Sequence, residues 1–596
     1  MSSIPRRDLI RAGAVIGAAG AALALARHSQ ATSSKFDHLT PLRPAPDLAE
    51  GATPALPPLA ALAYNKAAFG PRPGDIAAFN ALAGNDDQRL GLWVDNQLNP
   101  TANDPDVVVR LAALPGSPEP SDQAAFDTID KTAAQLWSQH ARSSDYLVAN
   151  RPVWQMERLT LLRGAYSQWQ LREVLYDFWF NHFNVFGREF PSQGMMPEYD
   201  RQLRAHLFGN FGDMLNANAM TASMLYYLDN YANTWPNPNE NYAREVLELH
   251  TLGAIENYYG AVDPGTVGDN QHGQRAGYTE IDVFEFAKAL TGWGVADGNY
   301  SAPDTGDFLF RPSRHYNFSQ GPIEVMDVTI NAPGGGEADV TDILDYLAGH
   351  YGTARFIAWK LCTRLIGDNP PESIVSSTAD EFYARRFDSD QLKEVYRHIL
   401  LSAEFQSTWG LKVKRPIETL VRAMRATSVD LTMRIDHAVS NAIFGRLDDT
   451  SHYPFGYGPP TGYPDEHETW QGTGPLVMSW RTITYMFRRS DENLPGSGPM
   501  LNLAAQTNTM IPSAGNRTPQ NIVAAWMDRA LGYVLPPGVS DRMVQFISDI
   551  VAIGPNTAFP TSGSFDSNNT SDNSNYQRVI RGLVGLVLMA PDAMRR

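Results

Sequence analysis

Along Gln170-Leu-Arg-Glu-Val-Leu-Tyr-Asp-Phe-Trp-Phe-Asn-His-Phe-Asn184, apolar side chains occupy most of a helical circumference and leave one narrow polar stripe. A helix that is apolar nearly all round belongs inside a protein. Its stripe, Glu173, Asp177, Asn181 and Asn184, falls at i, i+4, i+8 and i+11 and therefore on one line. Buried carboxylates without partners are costly, so the fold must bring cations and amides to that line. Trp169, Tyr176, Phe178, Trp179, Phe180 and Phe183 demand a thick apolar surround. A chain of 596 residues is long enough to supply it.

The flanking sequence agrees. From Leu59 to about Ala426 most segments have helical period, among them Asp75–Leu82, Trp154–Leu162, Tyr199–Leu215, Tyr278–Leu290, Val340–Ile366 and Gln391–Phe405. Thr279 and Asp282 are spaced as a capping box. Short loops favour one body over several. The pattern predicts a mainly α protein: one large multi-helix domain over 59–430, a small inserted β-hairpin at about 296–337, and a helical C-terminal extension over 431–596. The hairpin is expected from Asp307–Phe310 and Ile323–Ile330, ending at Gly334-Gly335-Gly336. The extension opens with a Gly/Pro/aromatic loop, Tyr453 to Gly474, and holds the helices Ile522–Ala530, Val544–Ile553 and Tyr576–Met589. A polar tract, 556–573, is expected to be mobile.

The N-terminus predicts an address. Arg6-Arg7 precedes an Ala/Gly-rich apolar stretch and then Ser29-Gln30-Ala31, the layout of a twin-arginine export signal over 1–31. A Pro/Ala-rich tether follows over 32–58. The expected location is periplasmic or extracellular, with no integral membrane domain after signal cleavage. The single cysteine, Cys362, sits in an apolar helical run and reads as a buried, inert thiol. A net charge of −17 without a long basic run argues against nucleic acid as a partner.

Asn239 to Gly253 forms a second polar helix, on which Asn241, Arg244, Glu245 and Glu248 share about a 100° arc. The two stripes are expected to face each other across a polar seam. An acid–base site there takes Glu245 or Glu248 as general acid or base, Asp177 as the opposed carboxylate, and Arg244 to tune their pKa values. Asn181, His182, Asn241 and His315 are candidate binding residues. His182 and His250 are turned by roughly 140–200° from the neighbouring acids, which does not fit the Glu-x-x-His spacing of di-iron bundles. No zinc-ligand, nucleophile-elbow, phosphate-loop or dinucleotide motif is present, and the sequence specifies neither metal nor cofactor.

Several motifs occur in a fixed order: Tyr64-Asn-Lys-Ala-Ala-Phe-Gly-Pro-Arg-Pro73, Asp177-Phe-Trp-Phe-Asn-His-Phe-Asn184, Tyr227-Leu-Asp-Asn230, Pro238-Asn-Glu-Asn-Tyr-Ala-Arg-Glu245, Ala289-Leu-Thr-Gly-Trp293, Thr353-Ala-Arg-Phe-Ile-Ala-Trp-Lys-Leu361 and Lys414-Arg-Pro-Ile-Glu418. Together they resemble the bacterial family catalogued as domain of unknown function 1800, over roughly Leu59 to Arg422 plus the loop near Tyr463 and Trp470. The resemblance implies an exported protein, often encoded beside a second exported family that resembles sulfatases, and adds Asn230 to the candidate binding residues. It implies no reaction. Two positions depart from the family pattern: His250, where many relatives have Phe, and His315-Tyr-Asn-Phe-Ser-Gln320, which lacks an acid and a base of the family segment. Three readings remain open: an envelope or extracellular enzyme acting on glycan or another polymer, a non-enzymatic accessory or scaffold protein beside the sulfatase-like partner, and a metal-dependent oxidoreductase folded before export.

Overall fold

The computed structural model describes residues 55–101, 104–112, 126–299, 302–331, 336–431, 433, 438–488 and 501–596. The expected signal and nearly all of the tether lie outside them. The described chain is mainly helical, with two small two-stranded sheets. Its middle is the helix Gln170–His182, where Leu171, Leu175 and Trp179 are wholly buried. Trp179 Nε1 donates to the Tyr396 hydroxyl at 2.6 Å, so the indole is buried with its polar atom satisfied. The helix start is satisfied from a distance: Gln97 Oε1 accepts from the Leu171 N–H at 3.2 Å.

A second buried helix, Pro416–Thr427, joins the two ends of the chain. Pro416 occupies its first turn, and the Glu418 carboxylate accepts the Arg415 N–H at 2.8 Å, half of a capping box. Arg422 donates to the carbonyls of Ala530 and Ala593. Arg425 donates to those of Gly70 and Ala165 and pairs with Asp75 at 2.9 Å. Burial pushes both guanidinia down to about 10. At the chain end, Arg596 N–H donates to the Lys412 carbonyl at 2.9 Å and the Lys412 N–H to that of Arg596 at 3.2 Å. The C-terminal helices Leu503–Met510, Pro519–Leu531, Pro537–Val551 and Asn575–Met589 thus share one interior with Leu59–Lys66, the first of the described helices. Asn65 of that helix donates to the Leu531 carbonyl at 3.1 Å.

The structure corrects several local expectations. Asp307–Phe310 does not pair with Ile323–Ile330. It lies within β2 (Asp304–Phe310), which pairs antiparallel with β1 (Trp293–Asp297), Trp293 opposite Phe310. The later segment folds on itself as β3 (Ile323–Val325) and β4 (Val328–Ile330), Ile323 opposite Ile330. Its two-residue turn has no Asn-Gly or Asp-Gly signature; Met326 takes a φ of 50°, and its N–H is held by Asp282 at 2.7 Å. The periodic runs Tyr199–Leu215 and Val340–Ile366 are each two helices. They are interrupted at Asn210 and His350, whose side chains accept from Gly212 and Gly352 N–H groups. Thr279 and Asp282 do form their capping box. Within the tract 556–573, the Phe559 N–H donates to the Arg517 carbonyl, and the Ser567 carbonyl accepts from the Arg517 side chain. Cys362 is buried, and burial pushes its thiol up to about 12. No helix among the described residues is long and apolar enough to cross a membrane.

Candidate functional site

The acidic stripe of helix 170–182 is met by cations, though not by those of the 241–253 segment. Glu173 pairs with Arg204 at 2.8 Å and Arg172 at 2.9 Å. Asp177 Oδ2 takes Arg364 at 3.1 Å and also Arg415. Asn181 Oδ1 accepts the Tyr463 N–H at 3.0 Å, and Asn184 donates to the carbonyls of Tyr457 and Pro459. The aromatic loop therefore lies directly on the helix end. Gly462 makes this approach: it has a φ of +69°, and a Cβ there would stand 2.1 Å from the Asn181 carbonyl oxygen.

On the other segment, Arg244 pairs with Glu280 at 2.8 Å, Glu240 at 3.2 Å and Glu248 at 3.4 Å, and Glu280 also accepts the Tyr258 hydroxyl. Among the described residues no ion pair joins the two stripes, so the expected seam does not form. The segments meet instead through their histidines: His182 Nε2 is 3.1 Å from the His250 carbonyl, and the rings are 6.1 Å apart. The 241–253 run is an α-helix only over Asn241–Glu245 and a π-turn over Val246–His250, so its α-helical arithmetic fails past Glu245. Glu245 keeps a raised pKa of about 7, through burial and then the nearby Glu248. Burial also raises Glu248, against the opposing pull of Arg244.

The remaining candidates are dispersed. Asn230 is fully buried and donates to the Leu290 and Trp293 carbonyls, while Asn241 donates to that of Leu228. Both brace turns. His315 Nδ1 lies 2.7 Å from the Thr291 carbonyl, with Nε2 3.6 Å from Asp339. It belongs to the hairpin region, away from the residues that line the Asp177 cleft.

That cleft brings together Asp177, Asn181 and His182. It offers about 250 Å³ and is also lined by Trp359, Lys360, Arg364, Arg415, Tyr463 and Asp465. Its floor is a charge network. Arg364 bridges Asp177, Glu418 at 2.7 Å and Asp465 at 3.3 Å. Arg596 reaches Glu418 at 3.2 Å and Asp465 at 3.4 Å, and Lys412 holds Asp465 at 2.9 Å and Asp368 at 3.0 Å. Burial works against the Asp465 carboxylate, yet Lys412, Arg364, Arg596 and Arg415 hold it well below the usual range. Glu418 is likewise held down against burial by Arg364, Arg596 and Arg415. These acids stay ionised, fix the geometry and are poor proton donors.

The cleft wall carries the group suited to moving a proton. Lys360 Nζ lies 2.9 Å from His182 Nδ1. His182 faces the His250 carbonyl through Nε2, which assigns the ring proton there and leaves Nδ1 as acceptor. Burial and the neighbouring Lys360 push the imidazole well below its ordinary value, so it stays neutral. Burial brings the Lys360 amine down to about 8, against the pull of Asp465 and Glu466. Beside it Trp359 is 45 % exposed, a flat apolar surface at the rim. Lys360, Arg364, Arg415 and Asp465 are not among the residues expected from the sequence. Their available signal was Lys360 and Arg364 at i, i+4 on one helix, Tyr351–Leu365. Among the described residues no three His, Cys, Asp or Glu side chains are grouped as metal ligands.

A family model described as "Protein of unknown function (DUF1800)" matches residues 62–595. The match runs through the C-terminal helices as well as the core, further than the motifs alone suggest. Comparison with curated proteins gives no match, and comparison with solved structures gives none.

Proposed function

Because the chain belongs to this family of proteins of unknown function (DUF1800), its fold carries no inherited reaction, and we propose from its own geometry an exported enzyme that works at the Asp177 cleft. The substrate class is a hydroxyl-rich polymer, in the first place glycan, and the step is proton transfer by Lys360. The observation that carries this is the Lys360–His182 contact at the cleft wall. An amine titrating near 8 is present in both forms under mildly alkaline conditions, which suits a general base. When Lys360 accepts a proton from a ligand hydroxyl, it gains one N–H bond and keeps the one it donates to His182 Nδ1. Trp359 gives a sugar ring a face to stack on. Asp177, held by two guanidinia, offers a fixed acceptor to hydroxyls.

This reading replaces the pairing of Glu245 or Glu248 with Asp177 by Lys360 with Asp177. It is tested with Lys360→Met, a change of similar length that removes the amine. The variant is expected to melt normally and to leave envelope material in the state found in a deletion strain. Full complementation by Lys360→Met would sink the proposal.

One observation favours the accessory reading: Asp177, Glu418 and Asp465 are saturated by four cations, as a structural core would have them. In that case a sulfatase-like exported partner would supply the chemistry, and Lys360→Met would complement.

A further inference from the structure

The helix Thr473–Arg488 buries Ser479, Thr482, Ile483, Met486 and Phe487 and turns another face outward. Val477, Trp480, Arg481, Thr484 and Arg488 lie on that outer face at helical spacing. Together with Arg446 of the helix Ala438–Asp448, Tyr485 and Met589 they line a groove of about 720 Å³. That volume lies within the ~300–1,000 Å³ of clefts that hold small ligands.

The charge of this groove is unlike that of the chain. The protein carries a net −17, yet the described residues that line the groove include three arginines and no acid. Among the described residues none of the three forms an ion pair: Arg446 donates to the Ala442 carbonyl, and Arg481 faces the Met478 sulfur. The Arg446 guanidinium carbon lies 3.8 Å from the Tyr485 ring centroid, a cation–π contact that holds the charge in the groove wall. Trp480 and Val477 are 36 % and 37 % exposed in the same wall.

We propose that this groove binds an acidic polysaccharide segment bearing carboxylates, a polyuronate strand. Arg481 and Arg488 are seven residues apart on one helix, about 10 Å along its axis, the span of two linked sugar rings. They pair with carboxylates on alternate sugars, Arg446 chelates a third acidic group, and Trp480, just N-terminal of Arg481 on the same helix, stacks on a neighbouring ring. An acidic peptide offers the carboxylates without the flat ring faces that Trp480 and Val477 would cover. The site lies apart from the Asp177 cleft and shares no lining residue with it.

Titration calorimetry of the full chain with a short oligogalacturonate tests this, with the methyl-esterified oligomer as the uncharged control. The acid form is expected to bind, to weaken with added salt, and to lose about tenfold or more in affinity in Arg481→Gln/Arg488→Gln. Trp480→Ala should weaken binding with the salt dependence unchanged. Lys360→Met should leave binding unaltered, which keeps this test independent of the proposed reaction. Absent binding, equal binding of the ester, an unaffected double variant, or tighter binding of polyglutamate or a sulfated oligosaccharide would each overturn the proposal.

Discussion

Glu157, in the helix Tyr146–Tyr166, is wholly buried, and only its Oε2 has a hydrogen bond, from the Tyr453 hydroxyl at 2.9 Å. Burial raises its pKa from 4.5 to about 7, against Arg188 and Arg158, each 3.8 Å away. Between those values the folded protein keeps a proton that the unfolded chain has released, so this group's stabilising contribution is complete below pH 4.5 and is lost as pH rises through about 7. Glu157→Gln should therefore gain on the parent as pH rises across that window, by up to about 3 kcal/mol, read from melting curves at either end. A variant whose difference from the parent is flat with pH contradicts the assignment. At this scale the sequence was partly legible. The stripe of helix 170–182 was readable because buried carboxylates must find partners: Glu173 takes Arg204, and Asp177 takes Arg364 and Arg415. Lys360 was not, because a lone lysine in a helix has the same pattern whether its amine reaches water or, as here, His182.

Among the elements, helix Pro416–Thr427 holds the cleft floor through Glu418, which is 3 % exposed and shared by Arg364, Arg415 and Arg596. Removing one partner of a buried charge group leaves the others uncompensated, so Glu418→Gln should cost about 3–5 kcal/mol, measured by denaturant unfolding. A cost below 1 kcal/mol, the range of exposed ion pairs, would show the network to be loosely solvated. Helices were the legible elements, since their period survives whatever packs against them. The hairpins were half legible: β-branched and aromatic residues marked β2, β3 and β4, but their pairing depended on Gly292-Trp293 starting a strand and on Met326 turning a hairpin. Neither is a local propensity. The π-turn at Val246–His250 was invisible for the same reason.

For the whole molecule, the C-terminal extension is not an appendage. Arg422 and Arg529 cross between it and the core, donating to the Ala530 and Ala426 carbonyls, and the chain end supplies Arg596 to the cleft floor. A chain stopped at Asp430 should therefore lose cooperative melting. Retention of the parent transition would mean that the core stands alone. A boundary near 430 follows from the sequence because the run of helical period ends at about Ala426, while the carbonyls that Arg422 reaches lie more than a hundred residues away in the chain. The reaction proposed at the cleft depends on an amine set apart by its surroundings. Competitive acylation of all lysines against pH, followed by peptide mapping, reads each amine's titration directly. The Lys360 amine should titrate near 8 and return toward its ordinary value of 10.5 only on unfolding. A Lys360 that titrates with the exposed lysines of the native protein would contradict the site proposed for this chain.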